Sequence, residues 1–319
     1  MKLDSKIFVA GHRGLVGSAL MRQLSAKGYR NLVMRTHAEL DLTDQAAVRS
    51  FFAEERPEYV LLAAAKVGGI HANNTYPAEF IQQNLAMQTN VIHESWASNV
   101  QRLLFLGSSC IYPKDSPQPI KEEYLLTGPL EPTNRPYAIA KIAGIEMCHA
   151  YNRQYGTRYM AVMPTNLYGP NDNYDLNNSH VLPALIRKMH EAKLNNAAEV
   201  VVWGTGTPMR EFLYSDDMAD ACIFLLEQSE DRLEGMFNDA HPPLVNVGCG
   251  EDLTIRELAE MVKATVGFTG NLVFDSTKLD GTMRKLMDVG KLKKMGWQAT
   301  TKLRDGISAS YKNYLQGKA

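Results

Sequence analysis

Four cysteines in 319 residues, Cys110, Cys148, Cys222 and Cys249, are too few and too scattered to frame the chain. No Cys-x-x-Cys pair occurs, which excludes a disulfide scaffold or zinc ribbon and predicts reduced thiols in a cytoplasmic protein. Net charge is nearly absent. Thirty-four Lys plus Arg against 35 Asp plus Glu leave −1, so neither nucleic acid nor an anionic membrane is expected as a partner. Long hydrophobic runs are missing too. The best, 59–65 and 103–106, fall far short of the roughly 20 apolar residues that a membrane span needs, and they read as buried strands. Residues 1–6 lead directly into a strand, with no signal-peptide apolar region. Internal repeats and low-complexity segments are also absent from the sequence.

What is present is a globular composition, 45% apolar and 22% charged, in a length that suits about two domains at roughly 150 residues each. Residues 6–10 form a β-rich run that ends in a glycine turn and is followed by a helical pattern to about Lys27. Further strands are expected at 31–34, 59–64, 102–106 and 158–163. Helices are expected from Thr43 as N-cap, from Pro77 to about 97, and over 134–155. Run 59–64 is continuously apolar, as befits a parallel strand buried on both faces. The alternation predicts an α/β fold with a doubly wound parallel sheet and right-handed crossovers. Beyond Pro170 the pattern loosens into a polar loop at 171–179, helices at 181–193, 217–227, 255–266 and from about Leu303, and strands at 199–203 and 244–247. The expected division is a dinucleotide-binding domain, 1–168 plus about 214–247, and a smaller α/β substrate domain, about 169–213 plus 248–319.

The glycine turn carries the first chemical signal. Gly11-His12-Arg13-Gly14-Leu15-Val16-Gly17 is a G-x-x-G-x-x-G pattern between strand and helix. There the backbone can approach a pyrophosphate, and the helix N-terminus favours its charge. At the end of the second strand, an acid would bond the ribose of NAD and a cation the 2′-phosphate of NADP. The chain offers Arg35-Thr36-His37 and no acid before Glu39, so NADP(H) is the expected cofactor, with Arg13 beside the phosphates. Arg35 is either a direct contact or a solvated charge. Asp41 either accepts from the adenine amine or belongs to the next helix start.

Tyr137 and Lys141, four apart at the start of a helix, face one side. A phenol of pKa about 10 is a poor acid–base at neutral pH; a neighbouring ammonium and the helix N-terminus would lower it. Ser108, just past strand 102–106, is expected at the carboxyl edge of the sheet beside Tyr137, where ligands bind.

The glycine turn, Ser108, the Tyr137/Lys141 pair, Pro164-Thr165-Asn166-Leu167-Tyr168-Gly169-Pro170 and Arg210-Glu211-Phe212-Leu213-Tyr214-Ser215-Asp216-Asp217 together resemble the extended short-chain dehydrogenase/reductase family, which has a Rossmann-type fold and acts on nucleotide sugars. The likeness runs nearly end to end. It is strongest toward family members that convert GDP-4-keto-6-deoxy-D-mannose to GDP-L-fucose, through Ala63-Ala64-Ala65-Lys66-Val67-Gly68-Gly69-Ile70 and Leu106-Gly107-Ser108-Ser109-Cys110-Ile111-Tyr112-Pro113.

This resemblance implies a homodimeric epimerase and oxidoreductase with a GDP-sugar substrate. Cys110 and His180 would be the acid–base pair at C3 and C5, and Tyr137 would protonate the C4 oxygen during reduction. The cofactor would lie against residues 11–17, Arg35, His37, Asp41, Leu106, Gly107, Ser108, Ser109, Lys141, Pro164, Thr165, Asn166, Leu167 and His180. Lys188, Trp203, Arg210 and Asp280 would hold the substrate. A thiol of pKa about 8.5 needs help to act as a base, and a nearby imidazolium is the expected help. Read without the resemblance, Trp203 serves equally as core packing and Lys188 as a solvated helix face.

The chain departs from the family pattern at three places: His37 and Lys188 each stand where arginine is common, and the segment 230–243 is shortened. A dehydratase would carry a carboxylate where Cys110 stands. An NAD-retaining 4-epimerase would favour an acid after the second strand. A non-catalytic nucleotide sensor would usually have lost Tyr137 or Lys141.

Overall fold

The computed structural model describes residues 1–176, 179–278 and 280–317. In chain order the strands are β1 (Ile7–Ala10), β2 (Leu32–Val33), β3 (Tyr59–Leu62), β4 (Arg102–Leu106), β5 (Tyr159–Pro164), β6 (Asn166–Tyr168), β7 (Glu199–Trp203), β8 (Met209–Tyr214), β9 (Leu244–Val247), β10 (Asp252–Thr254), β11 (Asn271–Asp275) and β12 (Arg284–Lys285). The helices are α1 (Leu15–Ala26), α2 (Gln45–Glu55), α3 (Ile70–Thr75), α4 (Pro77–Ala97), α5 (Arg135–Tyr155), α6 (Val181–Leu194), α7 (Ser215–Glu227), α8 (Glu230–Leu233), α9 (Ile255–Val266), α10 (Gly290–Lys294) and α11 (Leu303–Gln316).

The main sheet runs β2-β1-β3-β4-β5-β9, and all its pairings are parallel. Its strands are continuously apolar because helices cover both faces. On one face Leu20 and Leu24 of α1 pack with Met218, Cys222 and Leu226 of α7 against Val9, Leu61 and Leu104. On the other, Phe51 and Phe52 of α2, Val91 and Ile92 of α4 and Ile142 and Ile145 of α5 pack against Phe8 and Phe105. The strand order reverses between β1 and β3, so their carboxyl ends diverge and leave a crevice, the usual ligand position in such sheets.

The second half is built around β8, which pairs with β10 on one side and β12 on the other and, over Phe212–Tyr214, with β6; β7 and β11 form a separate parallel pair. α6, α9 and α11 contribute a third core with Leu185, Ile186, Val262 and Ile307. α9 starts with a capping box, Thr254 to Glu257. The chain passes repeatedly between the two layers: β6 joins the β8 sheet, and Leu292 and Trp297 return to the main-sheet core.

Two local expectations need correction. The N-cap of α2 is Asp44, whose Oδ1 accepts from the N–H groups of Ala46 at 2.9 Å and Ala47 at 3.1 Å; Thr43 instead donates its N–H and hydroxyl to Asp41, at 2.9 and 2.7 Å. The sequence pattern also leaves β6, β8, β10, β11 and β12 unseen. β6, β10 and β12 are two or three residues long and β11 is only half-covered, so none of these four shows the apolar run that marks a buried strand. Among the described residues no helix is long and apolar enough to cross a membrane.

Candidate active site

The carboxyl ends of the main strands open into a cleft of about 1020 Å³, walled on its far side by residues around β7, β8 and β12. Its floor is the glycine turn. Gly11 has φ +85°, and a side chain there would bring Cβ to 2.7 Å from the Ala64 nitrogen. A Cβ on Gly17 would meet the Gly11 oxygen at 2.0 Å. Gly14 is the extended N-cap of α1 and supplies no side-chain cap, so the first N–H groups of that helix remain available to a ligand. A cradle this close, with an uncapped helix N-terminus, fits the diphosphate of a dinucleotide.

Gly11, Gly14, Leu15, Val16 and Gly17 line the cleft, whereas His12 and Arg13 stand outside its wall. Arg13 is exposed and faces Glu39, as does Arg35. Arg35 is engaged: it donates to the Met34 oxygen at 2.8 Å, pairs with Glu55 and lies 5.4 Å over the Phe51 ring. It still lines the cleft, together with His37 and Asp41. The His37 side chain is 84% exposed, with Nδ1 3.8 Å from Asp41 Oδ1, so it is free to turn toward a ligand. Hydrogen bonds from Thr43 hold the Asp41 carboxyl below its ordinary range.

Ser108 caps the short turn that follows β4, and its Oγ accepts from the Cys110 N–H at 3.4 Å. Opposite, the first turns of α5 present Tyr137 and Lys141. The Lys141 ammonium donates to the Leu106 oxygen at 2.8 Å, lies 5.7 Å from the Tyr137 ring centre, and is pushed down to about 8 by burial. His180 is the N-cap of α6. All five of Ser108, Cys110, Tyr137, Lys141 and His180 line the same cleft.

The electrostatics differ from the sequence expectation at two of these groups. Tyr137 is raised, not lowered: burial dominates, the nearby Cys110 adds to it, and the Ser108 hydrogen bond only partly offsets it. Its resting form is therefore the phenol, a proton donor. The imidazolium expected beside Cys110 is also disfavoured, since burial and the neighbouring Lys285 both lower His180. Burial pushes the Cys110 thiol up, and the largest opposing influence is Lys285, ahead of the Ser108 hydrogen bond and Lys141.

Leu106, Gly107, Ser109, Pro164, Thr165, Asn166 and Leu167 also line the cleft. Thr165 and Asn166 are oriented by donating to the Glu211 oxygen, at 3.2 and 2.8 Å. At the outer end Trp203 is 61% exposed and lines the cleft with Arg210 and Asp280, so it is not core. Asp280 accepts from the N–H and the hydroxyl of Thr205, both at 2.8 Å. Lys188 is outside the wall; its ammonium donates to the Val201 oxygen at 3.3 Å and lies 4.9 Å from the Trp203 ring centre.

Sequence reasoning missed Lys285 and the turn Glu131, Thr133 and Asn134, all of which line the cleft. Glu131 Oε2 accepts from the N–H groups of Thr133 at 3.0 Å and Asn134 at 3.2 Å, while Asn134 Oδ1 is buried without a partner. The only available signal was position: Lys285 follows Asp280-Gly281-Thr282 closely, and the turn immediately precedes Tyr137.

A parallel doubly wound sheet with a glycine cradle at its switch point, and a Ser/Tyr/Lys group at its carboxyl edge, defines a nucleotide-dependent α/β enzyme scaffold. The chain belongs to the NAD dependent epimerase/dehydratase family, whose model matches residues 7–240. It is 63% identical over 313 residues to GDP-L-fucose synthase 1 of Arabidopsis thaliana, covering 98% of this chain and 94% of the relative. It is 56% identical over 315 residues to GDP-L-fucose synthase of Escherichia coli K12, covering 98% and 97%. Among solved structures it resembles a GDP-mannoheptose C4 reductase from Campylobacter jejuni with NADP bound, with a TM-score of 0.90, 43% identity and 99% of each chain covered.

Proposed function

We propose that the protein converts GDP-4-keto-6-deoxy-D-mannose to GDP-L-fucose, epimerising C3 and C5 and then reducing the C4 ketone with NADPH. The observation that carries this reading is the meeting of Ser108, Cys110, Tyr137, Lys141 and His180 in one cleft above a dinucleotide cradle. A C4 ketone acidifies the protons at C3 and C5. Inversion needs one group to remove a proton and another to return one to the opposite face, and Cys110 and His180 are the two groups for it. Ser108 and Tyr137 donate hydrogen bonds to the C4 oxygen, so the electron pair released from carbon is held there as an enolate.

The cofactor, when bound along residues 11–17, supplies the hydride that C4 receives. As the alkoxide forms, Tyr137 passes its phenolic proton to it, and the Lys141 ammonium stabilises the phenolate left behind. Arg13, Arg35 and His37 are the cations for a 2′-phosphate. Trp203 offers a face for the guanine or sugar, Arg210 pairs with diphosphate, and Asp280 and Lys188 complete the outer site.

The same reading includes a homodimer joined through α4 and α5 and a cytoplasmic location. The first is supported by an aromatic surface on those helices, the second by four free cysteines. The test is incubation with the keto-sugar and NADPH. Loss of NADPH absorbance together with GDP-L-fucose identified by NMR supports the reading. Tight NADPH binding with no turnover would instead support a nucleotide sensor.

A further inference from the structure

The cleft asks a nearly enclosed thiol to ionise. Cys110 is 8% exposed, and a thiolate there needs a cation to replace the water it has lost. His180 is poorly suited to be that cation, since burial and the neighbouring Lys285 both lower its pKa and disfavour the imidazolium. Lys141 is committed to the Leu106 oxygen and to the faces of Phe105 and Tyr137. Arg210 donates to the Met209 oxygen and faces Asp280. Lys285 remains: burial lowers its pKa too, but the facing Cys110 and Glu131 favour its charge, it lines the cleft, and among the described residues its ammonium has no hydrogen bond or ion pair.

The placement of Lys285 is built in. It lies across from Arg210 in the β12–β8 pairing. The residues just after it are fastened on two sides. Leu286 donates its N–H to Gln118 Oε1 at 2.8 Å, and its oxygen accepts from Ile120 at 2.7 Å. Met287 donates to Glu211 Oε2 at 3.0 Å. The backbone is thus anchored to both layers while the side chain ends in the cleft. The groups facing Lys285 are Cys110, Arg210, Glu131 and His180. The Glu131 carboxylate is already occupied by the Thr133–Asn134 turn. Those facing Cys110 are Lys285, Ser108, Lys141 and Tyr137.

We propose that Lys285 is a positioning residue for the epimerisation: its ammonium supplies the positive charge against which Cys110 ionises. The thiol proton leaves to solvent. The thiolate takes the proton from the carbon beside the ketone, the C–H electron pair moves into the enolate, and His180 returns a proton drawn from solvent on the opposite face. Nothing is oxidised or reduced in this step. The inference rests on the proposed epimerase reading for its catalytic meaning, but its central measurement uses no sugar.

The test is the pH dependence of Cys110 alkylation by iodoacetamide in the NADP⁺-bound enzyme, followed by mass spectrometry of the Cys110 peptide. Lys285→Met is expected to raise the midpoint by about one pH unit or more, a tenfold loss of thiolate at a fixed pH below the midpoint. Lys285→Arg should restore most of that shift. Deuterium wash-in at C3 and C5 should fall at least tenfold in Lys285→Met, with NADPH affinity unchanged. An unchanged alkylation midpoint overturns the proposal, including the case in which only KM for the GDP-sugar rises and Lys285 is merely a substrate contact. If Lys285→Met does not fold, Lys285→Gln carries the same comparison. A shifted midpoint in an enzyme inactive on the keto-sugar would sink the substrate reading and leave the Lys285–Cys110 coupling standing.

Discussion

Burial opposes ionisation at Cys110, Tyr137, Lys141 and His180 in the cleft, so a charge that any of them carries in the reaction has to be supported by a neighbour. For Tyr137 this makes the phenol a donor. Tyr137→Phe is expected to leave C3/C5 deuterium exchange intact while hydride transfer falls by about 10²–10⁴-fold; normal turnover would remove Tyr137 from its role. Cys110→Ser should do the reverse, blocking exchange while slow reduction of the unepimerised ketone survives, and full exchange in that variant would refute the pairing. Lys141, pushed down to about 8, is charged below that pH and loses its charge as pH rises through it. The rate of NADPH oxidation in single turnovers should therefore decline above about pH 8, and Lys141→Arg, which stays charged, should lack that decline. Ser108, Tyr137 and Lys141 were legible in the sequence because helical spacing and a strand end fix their positions. The charge states were not, because desolvation depends on the walls that close over a residue and leaves no mark on spacing.

Among the elements, β8 has the most to organise. Its Glu211 is fully buried, accepts from the N–H groups of Gly250 at 2.7 Å and Met287 at 3.0 Å, and so joins β12 and the turn after β9 to one carboxylate. Glu211→Ala would strand those two donors and is expected to cost about 2–6 kcal/mol at roughly 1–3 per unsatisfied group. Urea unfolding would measure it, and a loss under 1 kcal/mol would argue against the staple. The main-sheet strands were readable as apolar runs between helical patterns. β10 and β12 were not, because two or three residues held by neighbours carry no periodicity, and Lys285 was lost with them. Trp203 ends the correctly read β7, yet whether it faced core or cleft depended on β11, the partner that was missed.

For the molecule as a whole, α4 and α5 pack against each other and bring together the half-buried Trp96 and Tyr151 and the exposed Tyr155, with Trp96 and Tyr155 stacked at 4.3 Å. Tyr155 is 44% exposed and Ile139 of the same helix 43%, apolar area that a second subunit would cover. Sedimentation equilibrium is expected to give twice 35.6 kDa, and Tyr155→Asp to shift the balance toward the monomer. A single species of monomer mass at micromolar concentration would remove the dimer from the proposal.

The three tryptophans are placed very unequally. Trp297 is 7% exposed within the main core, Trp96 is stacked on Tyr155, and Trp203 is the one that borders the cleft, with Lys188 and Lys278 near its ring at 4.9 and 5.8 Å. The protein therefore carries its own optical reporter. Guanine settling on that indole would quench its emission and leave the other two fluorophores as an internal reference, so occupancy of the outer site can be titrated without any label.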